Sequence, residues 1–296
     1  MTTRWDLIPD GMGWGGVGYS ILVYSPCRFG VETFDGSLPS IILNPYSLTK
    51  IANIIFIDAP VGTGFSYANT SQGQASSDIK SAKDIFTFLG KWLLNHPMFI
   101  KNRLYIAGES YGGKLVPLVA MEILRGNEAR LQPRMSFQGY IIGNGLTDPN
   151  IDFNARIPYV HRMALISDEY FENQDYTIPE NWANDPIVQE ALYIRKGTIA
   201  RWEMCNFGIT YEQNVESALE YHKILIKKEY HVLVFNGDHD MAAPYMGPLK
   251  WIRILNLTID DNWRPWLVNG QVAGYTEKYK KKDFDLTFVT VKARKV

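Results

Sequence analysis

Short apolar runs alternate with longer amphipathic segments along most of the chain. Runs that are rich in β-branched and aromatic residues and bounded by polar residues are typical of buried strands. They lie at residues 53–58, 104–107, 137–143, 231–235 and 286–291, and a further short strand could form at 21–24. Strands that alternate with helices predict a mostly parallel central sheet with helices on both faces, which places the chain in the α/β class.

The segment after the strand at 53–58 has a helical pattern. Its apolar residues recur at spacings of three and four, which predicts a face directed at the core. They are Ile79, Ala82, Phe86, Leu89 and Leu93. Ser76 or Ser77 is the expected cap, and the helix is expected to end at His96, because a residue before a proline avoids the α region. Weaker helical patterns lie at 115–123, 187–193, 215–226 and 246–257.

One motif joins a strand to a helix. The run at 104–107 leads into Gly108-Glu109-Ser110-Tyr111-Gly112, and a helical pattern follows. Strand, G-x-S-x-G and helix in this order predict the nucleophile elbow of an α/β-hydrolase. Such a turn leaves little room for Cβ atoms at its flanks, lifts the Ser110 Oγ above the sheet and points the Tyr111 backbone N–H at a developing oxyanion. The alternative is a chance pentapeptide in a glycine-rich loop.

Serine acyl transfer also needs a base and an acid that orients the base. In an α/β-hydrolase the acid follows a later strand, and the histidine follows the acid in the chain. Asp240, after the strand at 231–235, is the predicted acid, with Asp238 as the alternative. No histidine follows Asp240, and without a base Ser110 is a poor nucleophile. All the histidines are interpreted as structural, namely His96, His161, His222, His231 and His239. His222 lies in the predicted helix at 215–226 and is expected at its surface.

Composition limits the other possibilities. The 296 residues are 46% hydrophobic with a net charge of −1, which predicts a single domain over 1–296 and gives no indication of nucleic-acid binding. No apolar run is long enough for a membrane helix, and the first residues contain no apolar signal core. Cys27 and Cys205 are the only cysteines, so neither a disulfide framework nor a metal site is indicated, and whether the two pair stays open.

Several segments, in the same order, resemble those of the plant-type serine carboxypeptidase-like family. The matching segments are 34–50, 54–68, 104–117, 139–149, 161–172, 182–206, 232–247 and 262–276. The resemblance implies an α/β-hydrolase fold, no cofactor, and a Ser-Asp-His triad in which Ser110 is the nucleophile and Asp240 the acid. It also implies that Glu109 helps to bind the C-terminal carboxylate of a substrate. Two carboxyl groups in contact share one proton, so this binding is expected to be best in acid.

The resemblance leaves the substrate class open. Most members remove C-terminal residues from peptides, whereas a plant branch transfers acyl groups from sugar esters. The acyltransferases often carry aspartate where this chain has Glu109, which favours a peptidase. The expected partner is therefore a peptide or, alternatively, an acyl-ester substrate, with no nucleic acid and no membrane.

The chain departs from the family pattern in three places. Residues 1–25 are divergent, and only 14–20 echo the family's glycine-rich oxyanion loop. Gly16 is the candidate oxyanion donor there, and Gly15 is the candidate substrate contact. Only 173–181 stands where the family carries a long insertion with disulfides, so we expect a shortened lid.

The third departure concerns the triad histidine, which in the family follows the last strand. This sequence reads VTVKARKV at that point and ends. We expect a truncated form of an enzyme whose relatives are vacuolar or extracellular, with impaired turnover. The alternatives are a non-catalytic binding protein that keeps the pocket and a product that does not fold stably.

Overall fold

The computed structural model describes residues 5–9, 27–29, 41–156, 158–159, 183–195, 201–202 and 211–292. They belong to two compact units. One is formed by Met1–Ser77 with Ser167–Glu212, and the other by Asp78–Ile166 with Gln213–Val296. The single domain over 1–296 stays a prediction.

The described part of the first unit contains short strand pairs and short helices. The parallel pairs are β1 (Trp5–Pro9) with β4 (Asn53–Ile57) and β5 (Ser76–Ser77) with β8 (Tyr211–Glu212), and the antiparallel pair is β2 (Cys27–Phe29) with β3 (Ile41–Leu43). Its α-helices are α1 (Ser71–Gln74) and α5 (Pro186–Ala191). The strand predicted at 53–58 is confirmed as β4, whereas the one at 21–24 lies outside the described residues.

Six strands of the second unit lie side by side in the order β10-β11-β12-β9-β7-β6. They are β6 (Leu104–Glu109), β7 (Phe137–Gly143), β9 (His231–Gly237), β10 (Thr258–Val268), β11 (Gln271–Lys281) and β12 (Phe284–Val291). The pairs from β6 through β7 and β9 to β12 are parallel, and β11 is antiparallel to both of its neighbours. The predicted, mostly parallel sheet is therefore confirmed.

The hairpin of β10 and β11 is the longest element without a counterpart in the sequence-based predictions. Asn269 and Gly270 join the two strands with φ angles of 50° and 75°, which is a two-residue hairpin turn. β10 lies at one end of this strand order, and its pairing with β11 shifts register at three places along its length. The helix predicted to reach residue 257 ends at Ile254, and β10 begins at Thr258.

Helices cover the sheet of the second unit. They are α2 (Asp78–Asn95), α3 (Gly112–Glu128), α4 (Pro149–Asn154), α6 (Leu219–Leu225) and α7 (Met246–Ile254). α3 packs against α2, β6 and β7.

The core-facing stripe of α2 differs in part from its prediction. Ala82, Leu89 and Leu93 are buried as predicted, but Ile79 is 39% exposed and Ile85 is buried instead. Ile79 lies in the first turn of the helix, where its backbone N–H donates to the Asn214 side chain at 3.3 Å. Within the described part of the chain, no helix is long and apolar enough to cross a membrane.

Candidate active site

Ser110 lies in the turn between β6 and α3, in the strand–turn–helix arrangement that the sequence predicts. Its φ is 54°, in the left-handed region. This conformation is energetically unfavourable for any residue other than glycine. Three backbone hydrogen bonds hold this conformation. The Ser110 N–H donates to the Gly143 carbonyl at 3.0 Å, and the Ser110 carbonyl accepts from Gly113 at 3.0 Å and from Leu146 at 2.8 Å. The turn is therefore fixed from its own helix and from the segment after β7.

Gly113, a residue not singled out from the sequence, lies where the backbone leaves no room for a Cβ atom. A Cβ on Gly113 would lie 2.6 Å from the backbone nitrogen of Leu146 and 2.8 Å from the carbonyl carbon of Gly145. Both atoms belong to backbone, so no side-chain movement can relieve the contact. The Gly112-Gly113 doublet is the signal in the sequence. Its second glycine lets the first turn of α3 approach the loop after β7.

The ring of Tyr111 is anchored below the turn. Tyr111 is 3% exposed, and its hydroxyl donates to Oδ1 of Asp78 at 2.8 Å. Oδ2 of Asp78 accepts from the Val215 backbone at 2.9 Å. Burial, and then the hydrogen bond and charge of Asp78, raise the pKa of Tyr111, so the hydroxyl stays a donor at neutral pH. The orientation of the residue that follows Ser110 is thereby tied to the start of α2.

A buried lysine lies beside this ring. The Nζ of Lys114 is 4.9 Å from the centre of the Tyr111 ring, a distance at which a cation and an aromatic face attract each other. Burial lowers the pKa of Lys114, and the negative charges of Asp78, Asp148 and Glu216 oppose that shift. The sequence offers no local signal for this cluster, because its members come from separate elements.

Asp240 lies three residues after the end of β9 and is half-buried. Its Oδ1 accepts from the backbone N–H groups of Ala242 at 2.8 Å and Ala243 at 3.0 Å. Burial raises the pKa of Asp240, whereas those two hydrogen bonds and the positive charge of Arg156 lower it. The carboxyl group is thus held at one oxygen by the loop that follows it.

Three side chains brace the loop that carries Asp240. Arg156 donates from Nε at 2.9 Å and from Nη2 at 2.6 Å to the carbonyl of Ala242. The Tyr159 hydroxyl donates to the Asp238 carbonyl at 2.8 Å, and Asn236 Nδ2 donates to the Ala243 carbonyl at 2.9 Å. Two of these contacts join distant parts of the chain and give no local sequence signal. Arg156 and Ala242 are 86 residues apart, and Tyr159 and Asp238 are 79 residues apart.

Glu109 is the last residue of β6 and precedes Ser110 directly. Its Oε1 accepts a hydrogen bond of 3.3 Å from Nδ2 of Asn144, the residue that follows β7. Oδ1 of Asn144 accepts from the backbone N–H of Gly237, at the end of β9, at 2.8 Å. The amide thus joins the ends of three neighbouring parallel strands.

The described histidines contact other groups than the proposed triad members. Nδ1 of His96 lies 2.8 Å from the Trp92 carbonyl, and the exposed His231 pairs with Asp285. His239 precedes Asp240 in the chain, and His161 lies outside the described residues. Among the described residues, no histidine hydrogen-bonds with Ser110 or Asp240.

The expected surface position of His222 is wrong. His222 is fully buried, with Nδ1 2.7 Å from the Tyr140 hydroxyl and its ring stacked on Trp251 at 4.9 Å between ring centres. Burial lowers its pKa to about 3, so the ring is neutral at all ordinary pH values. The face of helix α6 that carries His222 is directed at the interior, where the imidazole ring pairs with the Tyr140 hydroxyl.

Four other predicted features lie in parts of the chain that the structure does not describe. The candidate residues Gly15 and Gly16, the shortened connection at 173–181 and Cys205 are outside the described residues. Within the described part, no group of three or more metal-ligating side chains comes together.

Comparison with known proteins gives consistent matches. A family described as serine carboxypeptidase matches residues 26–181 and 172–293. Serine carboxypeptidase-like 17 of Arabidopsis thaliana is 38% identical over 93% of this chain and 74% of its own length. Serine carboxypeptidase-like 1 of the same plant is 37% identical over 96% and 76%. The crystal structure of Kex1(delta)p, a prohormone-processing carboxypeptidase from Saccharomyces cerevisiae, has a TM-score of 0.78 at 20% identity over 98% of this chain and 78% of that chain. This likeness confirms the predicted α/β-hydrolase fold.

Proposed function

Because this chain belongs to the serine carboxypeptidase family, we propose that Ser110 is the nucleophile of a site that cleaves the last peptide bond of a peptide. The family is one of serine-type carboxypeptidases, which are hydrolases. The observation that carries the proposal is the backbone of Ser110, which three hydrogen bonds hold at a φ of 54° between β6 and α3. A conformation of this cost persists where the surroundings compensate it, and such positions cluster at active sites.

In the proposed reaction, the Ser110 Oγ attacks the carbonyl carbon of the last peptide bond and its proton passes to a base. The backbone N–H of Tyr111 donates to the oxyanion, with Gly16 as the proposed second donor. The C–N bond then breaks, and the leaving amine takes the proton from the base. Water hydrolyses the remaining ester of Ser110. Asp240 would orient the base and stabilise its positive charge.

Glu109 is proposed to recognise the carboxylate of the departing residue, together with Gly15. Glu109 adjoins Ser110 in the chain and ends the strand that leads into the turn, which would set the carboxylate one residue away from the bond that is cleaved. A carboxyl group at this point suits a free C-terminus better than a neutral sugar ester. The proposed substrate is therefore a peptide rather than an acyl ester.

The base is the part of the mechanism that the described histidines do not supply. We therefore propose that the 296-residue chain binds peptide carboxylates but acylates Ser110 slowly, and that non-catalytic binding is the second candidate function. Removal of one triad member in such enzymes leaves a rate about 10³ to 10⁴ above that in water, from the oxyanion site and binding alone.

Labelling with a fluorophosphonate probe tests this proposal, because such probes react with activated serines at an oxyanion site. We expect slow labelling of the 296-residue chain that added imidazole accelerates and that Ser110→Ala abolishes. Rapid labelling without imidazole would show that a base is present. No labelling of folded chain, even with imidazole, would exclude Ser110 as an activated nucleophile and support the binding function.

A further inference from the structure

A cavity of about 750 Å³ lies in the second unit, at the end of the sheet opposite to Ser110. It is lined by residues at or just before the start of β7 and β9, such as Ser136 and Tyr230, and by the C-terminal part of α3. β7 and β9 are seven residues long, so their other ends, at the candidate active site, are about 20 Å away. The cavity is therefore separate from that site.

Hydrogen bonds and an ion pair hold the wall of this cavity in place. The side-chain amide of Asn127, near the end of α3, donates to the Met135 carbonyl at 2.8 Å and accepts from the Met135 backbone N–H at 3.0 Å. Lys228 pairs with Glu128 at 2.6 Å, which joins the segment before β9 to the end of α3. The segments before β7 and β9 are thus both fixed to the same helix.

The charged side chains of the lining leave an excess of positive charge. Three of them are basic and two are acidic, and Lys228 is neutralised by Glu128. The charges that remain are those of Arg134, Lys227 and Glu229, at exposed positions. Neither Arg134 nor Lys227 forms an ion pair or a side-chain hydrogen bond with any residue that the structure describes. Two cations are therefore available to a ligand.

Tyr230 adds a neutral donor to the lining. The residue is 9% exposed, and its ring meets the Phe137 ring edge-on at 4.8 Å between ring centres. Burial, and then the charge of Glu128, raise the pKa of Tyr230 to about 12, so the hydroxyl keeps its proton at neutral pH. In the described part of the chain this hydroxyl has no hydrogen-bond partner, which leaves it to donate to a ligand.

We propose that this cavity binds the phosphoryl group of a small phosphate ester, with Arg134, Lys227 and the Tyr230 hydroxyl as its donors. Arginine and lysine are the side chains that bind phosphate in proteins, and two positive charges match the charge of about −1.5 to −2 on a phosphate monoester. The cavity is large enough for more than a phosphate ion, and Ser136 and Gln138 add polar side chains to its wall. A hydroxylated ester fits this lining better than an apolar acid. The inference is independent of the proposed peptidase function.

The test is calorimetric titration of the 296-residue chain at low ionic strength, where exposed charges are least screened. The probes are glucose 6-phosphate, inorganic phosphate, glucose, and glucuronate, which has a carboxylate at the end of the sugar where glucose 6-phosphate has its phosphate. We expect glucose 6-phosphate to bind with a Kd of about 1 mM or lower. Inorganic phosphate should bind about fivefold more weakly, because it lacks the hydroxyl contacts, and glucose and glucuronate at least about tenfold more weakly.

Substitutions assign the binding to the named donors. Arg134→Gln and Lys227→Gln should each weaken the binding of glucose 6-phosphate about tenfold, the value of a hydrogen bond to a charged group. Glu229→Gln should strengthen it, because a negative charge is removed from the lining. Arg253→Gln and Lys250→Gln, at exposed positions on α7 outside the cavity, are the matched controls and should leave the affinity unchanged.

A further variant tests the neutral donor, and the remaining outcomes overturn the proposal. Tyr230→Phe keeps the ring and should weaken binding about fivefold. No saturable binding of either phosphate by the folded chain, or equal losses in the Arg134→Gln and Arg253→Gln variants, would exclude this cavity as a phosphate site. Glucuronate that binds as tightly as glucose 6-phosphate would assign the site to carboxylates. Equal affinity for inorganic phosphate would identify the free ion, rather than an ester, as the ligand.

Discussion

Replacement of Asp152 by asparagine should remove a large pH dependence of stability. Asp152 lies in the first turn of α4 and is 3% exposed. Its Oδ2 accepts from the backbone of Thr147 at 2.7 Å and of Asp148 at 2.9 Å, but within the described part of the chain its buried Oδ1 has no hydrogen-bond partner. Burial raises the pKa of Asp152 from 3.8 to about 7, against the opposing effect of those two hydrogen bonds.

The sign of the effect follows from where the proton is bound. Between pH 4 and 7 the unfolded chain has an ionised Asp152, whereas the folded chain holds it protonated, so folding takes up a proton. The stabilisation by this group is complete below the unfolded pKa of 3.8 and is lost as the pH rises to about 7. A difference of about 3 pH units corresponds to about 4 kcal/mol in the free energy of unfolding.

The measurement is urea denaturation of the chain and of Asp152→Asn at a series of pH values. The amide is neutral throughout and keeps an oxygen for the two backbone donors. The variant should therefore match the parent near pH 4 and exceed its stability by up to about 4 kcal/mol at pH 8. Asp260→Asn, on the exposed face of edge strand β10, is the control for a surface carboxylate. A difference curve that is flat or falls with pH would show that Asp152 is ionised in the folded chain.

Three further substitutions test contacts around the Ser110 turn and in the loop that carries Asp240. Gly113→Ala should destabilise the chain by about 1–3 kcal/mol in thermal melts, because its Cβ would meet backbone atoms. Gly90→Ala is the control, since its Cβ would have no neighbour nearer than 3.9 Å, and it should be neutral or stabilising. Equal effects of the two substitutions would contradict the crowding at Gly113. Tyr111→Phe removes a hydrogen bond to the buried carboxyl group at the start of α2 and should cost about 1–3 kcal/mol in denaturant titrations, and an unchanged midpoint would refute that contribution. Arg156→Gln removes a positive charge that lowers the pKa of Asp240, so the NMR-detected titration of that carboxyl group should move to higher pH; a shift in the other direction would contradict the assigned cause.

The strands of the parallel sheet could be predicted because each reads as a short apolar run with at least one buried face. β6, β7, β9 and β12 are of this kind. β10 is not, since most of its side chains are exposed and polar residues interrupt its apolar ones. The Asn269-Gly270 pair was the available sign of its turn, and it needs apolar alternation on both sides to be recognised.

The same distinction holds for the candidate site, where local features could be predicted from the sequence and contacts between distant residues could not. Ser110 could be predicted from five consecutive residues, because the elbow is a local turn. Asn144, Arg156 and Tyr159 could not, because each acts on a segment that lies more than 70 residues away and meets it only through the sheet order. His222 shows the same limit, since a polar residue on a short helix gives no sign that its partner Tyr140 lies beneath it.

The edge of the β10–β11 hairpin also bears on how the protein behaves at high concentration. A long exposed strand offers unpaired backbone groups to another molecule, and β10 has side chains such as Leu267 and Val268 that are at least 50% exposed. Its register shifts, the charged run that includes Asp260, Asp261 and Arg264, and Pro265 in mid-strand all disfavour continuous pairing with a second chain. The irregularity that hides this strand from sequence patterns is thus also what protects its edge against intermolecular sheet formation.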